Sequence, residues 1–123
     1  MDNLLAVTLN GIAQLEYDRN KTLPPQQQLY LEKMDQKMDE GIQVGEDIIT
    51  NPDIQQRAQF VAANLANAIL SDNEAMCAAL TAYLANRLTD LRQVKINNTD
   101  GEISIELVFD EDYQKQVPVQ FIH

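Results

Sequence analysis

The sequence predicts an α+β domain, with a four-helix N-terminal part over residues 3–91 followed by a C-terminal three-stranded antiparallel β-meander over residues 92–122. Three observations lead there. Apolar residues recur at helical spacing as far as Leu91. After Arg92 they alternate with polar ones. Prolines, glycines and Ser/Asn/Asp clusters divide the first part into segments. At 123 residues the chain has the size of one domain, large enough to bury a core without disulfides or metals.

Leu5, Leu9, Ile12 and Leu15 fit an amphipathic first helix over Leu4 to Arg19, in which Gly11 is a mild weakness. Asn20-Lys21-Thr22-Leu23-Pro24-Pro25 interrupts it, and Pro25 suits the first position of a second helix. Leu31, Met34, Met38 and Ile42 form the apolar stripe of that helix, with Gly41 as a left-handed end. From Ile42 to Thr50 no clear period exists, and the stretch reads as a loop or a short irregular helix.

Asn51-Pro52-Asp53 gives the third helix a strong start, with Asn51 as the expected cap. Its stripe is Ile54, Ala58, Val61, Leu65, Ala68 and Ile69. Ser71 and Glu74 have the spacing of a capping box for a fourth helix, whose stripe of Met76, Leu80, Tyr83, Leu84, Leu88 and Leu91 ends near Arg92. No charged residue lies between Ala58 and Ser71 or between Ala75 and Asn86, so these two helices are the expected core or a contact with a second chain.

Val94 and Ile96 lead into Asp100-Gly101, a hairpin turn, and Ile103, Ile105 and Leu107 alternate on the return strand. After the acidic loop Asp110-Glu111-Asp112, the alternation of Val117, Val119 and Phe121 predicts a third strand that Pro118 confines to the sheet edge.

The net charge of −10 opposes binding to nucleic-acid phosphates and anionic membranes and leaves a basic protein partner open. The lone Cys77 excludes an intramolecular disulfide and fits a reducing compartment. Met1-Asp2-Asn3 lacks the basic start of an export signal, and no apolar run reaches the roughly 18 residues of a membrane span. A cytoplasmic location is therefore expected.

No catalytic arrangement stands out. The only histidine is the terminal His123, and Cys77 has no basic neighbour to lower its pKa. Glu32, Asp35 and Asp39 share one helix face and are the candidate metal ligands, although a solvated face flanked by Lys33 and Lys37 is the simpler expectation. Asn64, Asn67, Asn86 and Arg87 are the candidate pocket residues. For Arg57 and Arg87, helix-end pairs with Asp53, Asp90 or Glu74 are the simpler expectation. Six carboxylates without a basic residue lie between Asp100 and Asp112. No cofactor is implied.

The expected function is that of a non-enzymatic interaction or regulatory protein, acting through its helical surface and acidic patches as a homodimer or with a basic partner. Two alternatives remain. One is a small-molecule or metal-ion binding protein with a site between helices. The other is an acidic mimic of nucleic acid that inhibits a basic partner.

Overall fold

A computed structural model describes residues 4–44 and 46–111. In chain order the elements are β1 (Leu4–Leu9), β2 (Ile12–Asp18), α1 (Pro25–Asp39), β3 (Ile42–Val44), β4 (Asp47–Ile49), α2 (Ile54–Leu70), α3 (Glu74–Arg87), β5 (Gln93–Thr99) and β6 (Glu102–Val108). The protein is α+β as expected. The described residues nevertheless form three helices and six strands, with a four-stranded mixed sheet and a two-stranded sheet, in place of four helices and a three-stranded meander.

The first predicted helix is a β-hairpin. Asn10 (φ +51°) and Gly11 (φ +82°) occupy a two-residue turn with both central residues left-handed, the geometry that suits the right-handed twist of paired strands. Asn10 does more than turn the chain. Its amide side chain accepts from the Asn98 N–H at 2.9 Å and donates to the Asn98 carbonyl at 3.3 Å, tying the turn to β5.

The large sheet has the order β2-β1-β5-β6, with β1 and β5 parallel in the centre and antiparallel pairs on either side. Parallel neighbours need a long crossover. Here the crossover is everything between the two central strands, including β2 and all three helices. The register builds apolar rows across one face: Leu15, Val7, Val94 and Leu107 form one row, and Leu9, Ile96 and Ile105 another. Together with Leu5, these side chains join the cluster that contains Leu65, Tyr83 and Leu84 of the helices. Each fully buried leucine there contributes about 1.5–3 kcal/mol relative to exposure.

Pro25 opens α1 as expected, and Gly41, at φ +143°, follows its end. Residues 42–50, read as a loop or irregular helix, contain the β3–β4 hairpin, in which Ile42 pairs with Ile49. The cap of α2 lies two residues past the expected one. Asp53 is the cap and shares a reciprocal capping box with Gln56, while Asn51 takes a left-handed turn (φ +49°) ahead of it.

Ser71 closes α2 rather than opening α3. The N–H of Asn73 reaches the Ala68 carbonyl and that of Asp72 the Ile69 carbonyl, with Asp72 left-handed (φ +56°), so a Schellman turn leads into Asn73, the cap of α3. The end of α3 is Arg87, short of Arg92, because residues 88–92 turn the chain toward β5, which starts at Gln93. Arg19 covers that end by donating to the carbonyls of Ala85, Leu88 and Leu91 at 3.0, 3.0 and 2.6 Å. The expected third strand at Val117–Phe121 and the terminal His123 lie outside the described residues.

Gly11 separates the hairpin from a helix by the sign of one effect. Gly11→Ala destabilises the left-handed turn by about 1 kcal/mol or more, whereas a mid-helix position would gain about 1 kcal/mol. Urea unfolding of the variant against the parent measures that sign.

A charged staple and two apolar grooves

α1 leaves β2 through the Asn20–Pro24 linker and lies against the helix pair, and its surroundings hold most of the polar chemistry. Leu31 and Met38 bury its inner face, with Met34 partly buried between them. Asp35 lies in the same stretch and faces two helices at once. The Tyr83 hydroxyl donates to Asp35 Oδ1 at 2.6 Å, Arg87 Nε donates to Oδ2 at 2.8 Å, and Arg57 Nη1 lies 3.3 Å from Oδ1. Arg57 also donates to the backbone carbonyls of Asp35 and Pro52, and its Nη2 reaches Asp39 Oδ1. The Arg87 guanidinium lies 5.7 Å from the Tyr83 ring centre, a cation–π contact.

The electrostatics follow from this geometry. Burial alone would raise the Asp35 pKa, but the hydrogen bonds from Tyr83 and Arg87 and the charges of Arg87 and Arg57 outweigh it and hold the carboxyl below its usual range. Tyr83 is driven in the opposite direction, strongly up, by burial and by its bond to Asp35. Burial, with Asp72 nearby, also pushes the Cys77 thiol up. Both groups are therefore protonated near neutral pH, which suits neither to be a nucleophile there.

The candidate residues from the sequence are only partly brought together. Asp35 and Asp39 face the guanidiniums of Arg57 and Arg87, so the positive charge beside them comes from the protein, while Glu32 is exposed. Among the described residues, no three of His, Cys, Asp and Glu are grouped so that they could hold a metal ion. Arg57 and Arg87 are paired across helices, not with the helix-end carboxylates expected for them. Asn86 donates to the Tyr17 hydroxyl at 3.1 Å and to the Ala82 carbonyl at 2.7 Å. Asn64 and Asn67 line a separate groove.

Two grooves flank α1. The larger, about 730 Å³, lies between β2, the N-terminal half of α1 and α3. Tyr17 and Tyr30 line it from β2 and α1, and α3 contributes Ala75, Ala78, Ala79 and Ala82, the i, i+3, i+4 and i+7 stripe of one helix face. Tyr30 is 45% exposed, and Leu29 (52%) and Met76 (39%) add apolar surface. The smaller groove, about 420 Å³, runs between the C-terminal half of α1 and α2. The alanine stripe was visible in the sequence, but the strand and the helix that complete the larger groove around it were not. No described helix is long and apolar enough to cross a membrane.

Replacing Asp35 by Asn removes the charge and one of the two acceptor oxygens, and the expected loss is about 1–2 kcal/mol at neutral pH. The pH dependence has a definite sign. A carboxylate whose pKa is depressed by folding stabilises fully above its unfolded value of about 3.9 and loses that contribution as the pH falls through its lower folded value. Below about pH 4, therefore, acid erodes the stability of the parent more than that of Asp35→Asn. Urea midpoints at pH 7 and at steps below pH 4 measure both effects.

Compared with family models, curated proteins and solved structures, the chain has no match.

Proposed function

We propose that the protein acts by binding another protein in the cytoplasm, and that the groove between β2, α1 and α3 receives the apolar face of a partner helix. The alanine stripe of α3 carries this reading. Helices pack with axes about 8–10 Å apart, and small side chains on one of them favour the close end of that range. An apolar face repeating at i, i+3, i+4 and i+7 is the usual form of a helix that lies in such a groove.

Charge supplies the rest of the partner's chemistry. Glu16 lines the groove, and Glu74 lies between the lining residues Asn73 and Ala75. With a net charge of −10, the protein attracts a helix whose apolar face is bordered by Lys and Arg. A second copy brings the same negative charge, so self-association through this surface is the competing form of the proposal and gains from added salt.

The test uses two synthetic helical peptides with the same leucine face, one bordered by lysine and one by glutamate, titrated while amide NMR shifts are followed. The expected result is binding of the lysine peptide with shifts at Tyr30, Ala75 and Ala78. Ala78→Arg, at an exposed helix position that leaves the fold intact, weakens it about tenfold or more. Shifts centred elsewhere, or equal affinity in Ala78→Arg, overturn the reading. Light scattering of the free protein is expected to give a monomer; a dimer abolished by Ala78→Arg assigns the groove to a second copy instead.

A further inference from the structure

The smaller groove has a different character. Met34 and Met38 of α1, Phe60 and Val61 of α2 and Leu80 of α3 give it an apolar lining, with Val61 and Met38 almost fully buried. Its volume of about 420 Å³ falls in the usual range for small-ligand sites. Methionine side chains adapt to ligands of irregular shape. Its polar groups include Lys37 from α1 and Asn64 and Asn67 from α2, whereas the larger groove has Glu16 in its lining and no lysine or arginine.

The state of those groups matters more than their number. Lys37 forms no ion pair among the described residues, although the chain carries 19 carboxylates against nine Lys and Arg. Asp35 and Asp39, two residues to either side on α1, lie off the face of Lys37 and are turned to Arg57, Arg87 and Tyr83. Asn64 uses one amide hydrogen on the Phe60 carbonyl and keeps the other, and the Asn67 side chain has no hydrogen-bond partner among the described residues. An ammonium and amide donors thus border an apolar cleft.

We infer that this groove binds a small amphiphilic carboxylate, with its apolar chain between α1 and α2 and its carboxylate at Lys37 and the amides of Asn64 and Asn67. A cationic head group would meet Lys37 and be repelled. A neutral one would forgo the charge-assisted hydrogen bond. The inference is independent of the partner helix, because that contact is read at Ala75 and Ala78.

Octanoate, 1-octanol and octylammonium are the probes, titrated into the protein by calorimetry with amide shifts to locate them. Octanoate is expected to bind saturably and shift Met34, Val61, Asn64 and Asn67, and to bind more tightly than either analogue. Lys37→Gln weakens octanoate about tenfold and leaves 1-octanol unchanged. Asn64→Trp, which fills the cleft from an exposed position, blocks both without moving the unfolding midpoint. No saturable octanoate binding, octylammonium binding as tightly, shifts confined to Ala75 and Ala78, or full affinity in Lys37→Gln each overturn the assignment.

Discussion

The carboxylate of Asp35 holds α1 in place. It accepts from Tyr83 and Arg87 of α3 and faces Arg57 of α2, so one side chain ties the first helix to both of the others. The buried Leu31 and Met38 supply the apolar part of its anchorage, and residues 24–30 ahead of them are all exposed. Removing an acid from water is costly unless its partners compensate. Here a hydroxyl and two guanidiniums do so, and their combined pull depresses the pKa despite burial. Both grooves border α1, so their shapes depend on this contact.

Beneath α1 the architecture rests on a second polar contact. Arg19, just after β2, donates to three carbonyls at the end of α3 and thereby links the N-terminal hairpin to the helix that precedes β5. The central strands of the sheet are β1 and β5, so the chain must return over the whole helical layer to pair them. The Asn10 side chain fastens that return at the strand ends. Hairpin, helix end and central pair thus fix one another.

The helical pair could be read from the sequence because its signals are local: charge-free runs, a stripe at helical spacing, and cap-forming residues ahead of each helix, although the caps are Asp53 and Asn73 rather than the expected Asn51 and Ser71. The C-terminal hairpin was equally clear from its alternation and from Asp100-Gly101. The N-terminal hairpin was misread for a physical reason. β1 is central and buried on both faces, so Leu4-Leu5-Ala6-Val7 shows no alternation, and Leu5, Leu9, Ile12 and Leu15 fit a helix. Asn10-Gly11 was the deciding signal, and it was read as a weakness in a helix rather than as a turn. The staple had no local signal at all. Arg57 and Arg87 lie 22 and 52 residues from Asp35, and sequence spacing offered them only nearer helix-end partners.

The proposed binding roles therefore rest on the ordering of α1 more than on any single groove residue. Native-state amide hydrogen exchange measures that ordering directly, by comparing the parent with Asp35→Asn. The account predicts that α1 amides lose protection in the variant while those of α2, α3 and the central strands keep theirs. Equal protection of α1 in both proteins, or a uniform loss across all three helices, would contradict it.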